Sequence, residues 1–192
     1  MTNQCCKRSF TSLTSLLLLG CSADLSDYQQ PEQHPFDVKT YFTGDIAAWG
    51  LVQDRSDKVT RRFCVQIKAN WQANIGTLAE TFYFQDGEIS YRNWQLTKQT
   101  DGTYTGTAED VVGTAIGAHQ GFAFQLNYQL LLPVEDSIYQ VSMDDWMYQL
   151  DKYRVMNKTS ISKFGIKLAT VTLFFDKQQQ YQPCASLIER SL

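Results

Sequence analysis

From about residue 38 the chain exchanges apolar and polar side chains at nearly every step. Phe122, Phe124, Leu126, Tyr128, Leu130 and Leu132 fall on one side of an extended backbone, and Ala123, Gln125, Asn127 and Gln129 on the other. Successive side chains of a strand point to opposite faces, so this period predicts a half-buried strand. Phe63, Val65, Ile67, Ala69 and Trp71 repeat it with Gln66, Lys68 and Asn70 outward, and Leu78, Glu80, Phe82 and Phe84 follow a turn at 74–76. The turn dipeptides Asp86-Gly87 and Asp101-Gly102 separate 89–96 from 104–111. With 38–53, 138–150, 153–162 and 166–175, about nine strands are predicted and no long amphipathic helix.

Strands joined in sequence by short turns protect their edges best by closing on themselves. The expected fold class is therefore all-β, an antiparallel up-and-down barrel, lipocalin-like (calycin); a twisted open sheet or a sandwich is the alternative. Gly113, Gly117 and Gly121 lie where a glycine-rich loop or bent strand is expected, with His119 among them and no phosphate-loop lysine nearby.

The N-terminus has a different texture. Lys7 and Arg8 precede an apolar run over residues 10–19 that ends in Leu18-Leu19-Gly20-Cys21. A positive region, a short apolar region and a small residue form a secretory signal, and the run is too short for a membrane span, which takes about 20 apolar residues. Leu18-Leu19-Gly20-Cys21 resembles the lipobox of the bacterial lipoprotein pathway, which implies cleavage before Cys21 and lipidation (palmitate) of that cysteine. Ser22 in place of an aspartate then implies sorting to the outer membrane, periplasmic face. The expected organisation is signal peptide 1–20, flexible tether 21–36, barrel domain 37–177 and C-terminal tail 178–192.

Net charge is -3 and falls to about -5 once Lys7 and Arg8 are removed, so the basic footprint of a nucleic-acid binder is missing. Cys5 and Cys6 leave with the signal and Cys21 is taken by lipid, which leaves Cys64 and Cys184 either to pair or to stay free. With His34 in the tether and His119 among glycines, no zinc spacing appears, and no metal or cofactor is expected.

Charges on apolar faces carry the candidate chemistry. Glu80 shares parity with Leu78, Phe82 and Phe84; Arg92 shares it with Trp94 and Leu96. In 138–150 the set Ser142, Asp144, Trp146 and Tyr148 alternates with Met143, Asp145 and Met147; the first set is taken as facing inward. A bare charge in an apolar lumen is costly, so these groups must pair, meet water or hold a polar head. Two arrangements satisfy that: a bidentate pair of Arg92 with Glu80 or Asp144, or Arg92 gripping a fatty-acid carboxylate or a phosphate. The candidate ligand-binding set is Arg92, Glu80, Asp144, Trp94, Trp146 and Tyr148. No catalytic residue emerges: Asp144 and Asp145 point to opposite faces, and no Gly-x-Ser-x-Gly elbow occurs.

Glu80-Thr81-Phe82, Arg92-Asn93-Trp94, Asp110-Val111-Val112-Gly113-Thr114-Ala115, Asp144-Asp145-Trp146-Met147-Tyr148 and Lys163-Phe164-Gly165 occur in that order. Together they resemble a proteobacterial lipoprotein family of unknown function, domain of unknown function 3833, over about 36–175. The resemblance implies an envelope lipoprotein with a lipocalin-like body and carries over no catalytic residue. The expected function is a lipid-anchored periplasmic protein binding or carrying a fatty-acid or lipid-like ligand. The alternatives are a structural or interaction lipoprotein with a filled core and, behind it, an enzyme acting on acyl chains.

Overall fold

The computed structural model describes residues 23–29, 35–178 and 184. The expected signal peptide, the expected lipidation site Cys21, part of the tether and most of the tail lie outside the described residues.

Ten antiparallel strands form a closed barrel in which every strand pairs with its neighbours in sequence and the last returns to the first. They are β1 Gly44–Asp54, β2 Val59–Gln72, β3 Ile75–Phe84, β4 Ile89–Lys98, β5 Tyr104–Thr107, β6 Val111–Gln120, β7 Ala123–Val134, β8 Ser137–Gln149, β9 Arg154–Lys163 and β10 Ile166–Asp176. The expected up-and-down barrel is what forms, with one strand more than expected. The added strand is β6, where the sequence predicts a glycine-rich loop. It pairs with β7 around a bulge between Val112 and Ile116, and Gly113 sits there at φ +72°. Gly117 has no room for a side chain, because a Cβ there would stand 2.5 Å from the Phe124 ring of β7. Small residues in β6 thus leave space for the large inward residues of β7, which removes the hydrophobic period by which a strand is recognised.

The opening segment also differs from the expected strand over 38–53. Asp37 accepts a hydrogen bond from the Thr40 amide at 2.7 Å and caps a single helical turn, α1 (Val38–Tyr41); the chain turns into β1 only at Gly44. Phe36, Val38, Tyr41 and Phe42 are all buried, and together they plug one end of the barrel. Each such burial contributes about 1.5–3 kcal/mol. Polar ties fix the plug: Trp71 Nε1 donates to the Phe42 carbonyl at 2.7 Å, Tyr41 Oη to the Tyr153 carbonyl at 2.9 Å, and Lys177 Nζ to the Tyr41 carbonyl at 2.6 Å. Lys98 forms an ion pair with the capping Asp37.

Cys64 points outward from β2 between the inward Phe63 and Val65, yet it is buried, because it is disulfide-bonded to Cys184 with 5.6 Å between their Cα atoms. The pairing left open by the sequence is made. At the tip between β9 and β10, Phe164 takes φ +51° with its side chain 92% exposed, followed by Gly165 at φ +77°.

Candidate functional site

Inside the barrel lies a cavity of about 440 Å³, within the ~300–1,000 Å³ range of small-molecule sites. The interior is therefore not the filled core of the alternative reading. Val38 and Phe42 of the plug form its floor, and its wall rises past Ile67, Phe124 and Phe175 to Val52, Phe84, Leu132 and Leu168 near the β1–β2, β3–β4, β7–β8 and β9–β10 turns. Arg61 stands at this upper end, paired with Asp86 at 2.7 Å and Glu88 at 2.6 Å, its guanidinium carbon 3.6 Å above the Phe84 ring centre.

Between floor and mouth a small set of polar groups breaks the apolar wall: Glu80 from β3, Arg92 from β4, Tyr128 from β7, Asp145 from β8, and Asn157 and Thr159 from β9. Glu80 and Arg92 are direct cross-strand partners. The Arg92 fork nevertheless goes to Asp110, on the turn before β6, with Nε 3.0 Å from both carboxylate oxygens and Nη2 2.6 Å from Oδ2. The expected pairing with Glu80 or Asp144 is thereby corrected. Its cause is the shortness of β5, which pairs only with Gln95–Lys98 of β4. The Glu109-Asp110 turn fills the remaining gap: Glu109 accepts the otherwise unpaired Asn93 amide at 3.0 Å, and Asp110 reaches the neighbouring Arg92.

Electrostatics follow from this enclosure. Burial pushes the Glu80 carboxyl up to about 7; Arg92 opposes the shift, and Asp145 and Asp110 add to it. Asp145 is raised to about 6 by burial, against hydrogen bonds from Asn157 and Thr159 that favour its charged form. Burial works against the Arg92 charge, but Tyr128, Asp110 and Glu80 around it hold the guanidinium protonated above its ordinary value. The Tyr128 phenol is pushed up by burial and by Asp145. Glu80 and Tyr128 have no hydrogen-bond partner among the described residues, whereas Asp145 is held by Asn157, whose side-chain amide also donates to the Trp146 carbonyl at 3.0 Å.

Of the six residues singled out in the sequence, Arg92, Glu80 and Trp94 line the cavity, Trp94 meeting Tyr128 edge-to-face at 5.3 Å. Asp144, Trp146 and Tyr148 do not; the parity expected for β8 is reversed, and Val141, Met143, Asp145 and Met147 take its inner face. Asp144 accepts a hydrogen bond from Gln125 at 2.6 Å on the outer face. Trp146 is buried there by a short 3-10 helix, Leu25–Tyr28, whose Tyr28 ring lies 5.7 Å from both Trp146 and Tyr148. An outer aromatic pair under a covering segment imitates an inner face in sequence. Asp110, Tyr128, Asp145, Asn157 and Thr159 are the site residues that the sequence reading missed; the usable signal was the run Val141, Met143, Asp145, Met147 at one parity.

Among solved structures, the S-type phycobiliprotein lyase of Guillardia theta superposes with a TM-score of 0.56 at 9% identity, covering 76% of this chain and 95% of that one. Apocrustacyanin C2 gives 0.38 at 11% identity, over 80% of this chain and 71% of the other. Apocrustacyanin C1 gives 0.38 at 11%, over 86% and 83%. At these identities the lyase speaks for the barrel fold alone. No curated protein matches the chain in sequence. A family model described as protein of unknown function, domain of unknown function 3833, matches residues 15–177, and the chain belongs to that family.

Proposed function

We propose that this protein is a lipid-anchored envelope protein, on the periplasmic face of the outer membrane, whose barrel holds or carries a lipid-like amphiphile. The observation that carries the ligand reading is the cavity itself: an apolar wall above the plug, with charged groups at mid-depth and Arg61 at the mouth. An elongated apolar chain gains by burial against that wall, and a polar head gains by meeting the groups around Glu80. The anchor rests on Lys7, Arg8, the apolar run and Leu18-Leu19-Gly20-Cys21. The Cys64–Cys184 disulfide suits an exported protein, since such bonds persist in oxidising compartments.

Native mass spectrometry of protein purified without detergent tests the ligand; an adduct of lipid mass is expected. A bare mass, together with no uptake of a neutral apolar fluorophore, would reject the carrier reading. For the anchor, cells fed labelled palmitate should mark the wild type and not Cys21→Ser; label retained by the variant would reject lipidation at that position.

A further inference from the structure

We propose that the lumen selects an amphiphile with a hydrogen-bond-donating, non-anionic head, an amine above all, and disfavours a carboxylate or phosphate head, a selectivity that rests on the reading of the lumen as an amphiphile site. The Arg92 guanidinium, which a fatty-acid carboxylate would need, already forks onto Asp110. Arg61 at the mouth is likewise held between Asp86 and Glu88. No other Lys or Arg lines the cavity among the described residues. Two further carboxyls, Glu80 and Asp145, face the lumen; counted with Asp110, Asp86 and Glu88, which hold the two arginines, five carboxyls stand against two guanidiniums.

Hydrogen bonding points the same way. The Glu80 carboxyl lines the cavity, part-buried, and accepts no hydrogen bond from a described residue; the buried Tyr128 hydroxyl is also without a partner among the described residues. A carboxylate needs donors, and an ammonium head brings three. An anionic head seated there would place another negative charge beside two carboxyls in a medium that screens poorly, or would require both to stay protonated. An ammonium head would let Glu80 and Asp145 ionise and pair with it. Arg92, Asp110, Tyr128, Asn157 and Thr159 complete the ring of polar groups around that position.

The test uses the full chain with N-phenyl-1-naphthylamine as a neutral reporter, displaced by dodecylamine, dodecanol or dodecanoate at pH 8, each below its solubility or micelle limit. Dodecylamine is expected to displace the reporter at a concentration at least tenfold below dodecanoate, with dodecanol between them. In the Glu80→Gln, Asp145→Asn double variant the gap should shrink to less than threefold. Dodecanoate matching or beating dodecylamine on the wild type would overturn the proposal, as would an undiminished gap in the double variant, which would assign the preference to the surface of an acidic chain. Should the double variant not fold, the wild type at pH 5 replaces it: with Glu80 near 7 and Asp145 near 6, both carboxyls are then largely neutral, and the amine's advantage over dodecanol, neither of which changes charge between pH 5 and 8, should fall at least threefold. A constant advantage overturns the proposal. A reporter that never enters the wild-type protein rejects instead the carrier function on which the selectivity depends.

Discussion

Glu80 and Arg92 face each other across β3 and β4, yet they do not share a hydrogen bond; the arginine is bound to Asp110. Removing Asp110 and removing Glu80 should therefore act in opposite directions. Asp110→Ala leaves a largely buried guanidinium without its bidentate partner, and because the pair is partly solvated the loss should be about 2–3 kcal/mol, below the full range for a buried pair. Glu80→Gln removes a carboxyl that is costly to bury and should leave stability unchanged or raise it at pH 8. Chemical denaturation of both variants measures this.

The same carboxyls set a pH dependence of unusual sign. Their pKa values are raised on folding, from 4.5 to about 7 for Glu80 and from 3.8 to about 6 for Asp145. The folded state therefore binds more protons than the unfolded one, and stability is lost as pH rises through these values. Asp37 works the other way: despite burial, its hydrogen bonds to Lys98 and Thr40 hold it down at about 2, so its contribution is lost as pH falls below about 4. Melting temperature should peak near pH 5 and decline towards pH 8. Glu80→Gln should remove on the order of 2 kcal/mol of that decline. Melts across pH 4–9 check it.

Trp146 and Tyr148 offer a control for the lumen. Stacked on each other, both lie under a tilted Tyr28 ring on the outer wall, so Tyr28→Ala should cost about 1 kcal/mol of aromatic contact and leave uptake of the neutral fluorophore within twofold of wild type. Trp94→Ala, inside the cavity, should change that uptake. Equal effects of the two variants would contradict the assigned faces.

Phe164 holds a left-handed backbone at the β9–β10 tip, where an asparagine followed by Gly165 would be unstrained. Phe164→Asn should raise stability by about 1 kcal/mol, read as a higher melting temperature, because the exposed ring has almost no packing to lose.

Much of the barrel was legible because alternation in β2, β3 and β7 is unambiguous and turn dipeptides mark the hairpins. β6 was hidden by residues small enough to lie beneath Phe124, and α1 by a cap whose partner amide is three residues on. The inner face of β8 was misread because Trp146 and Tyr148 look as apolar as Met143 and Met147. Pairing would have decided between them: Val134 opposes Ser137 across a two-residue turn, which sets Tyr128 against Met143 and Leu126 against Asp145. Asp110 was out of reach, since nothing local in sequence says that β5 stops after four residues and lets the next turn approach Arg92.

The return of β10 to β1, held through eight residue pairs, leaves no open strand edge along that seam. Beside the start of β4, which β5 does not reach, the Glu109 carboxylate accepts the Asn93 amide. Along the β1–β10 seam a second protein cannot dock by lending a ribbon of its own, as pilins and PDZ ligands do. Whatever meets the wall at the β1–β10 seam has to recognise side chains.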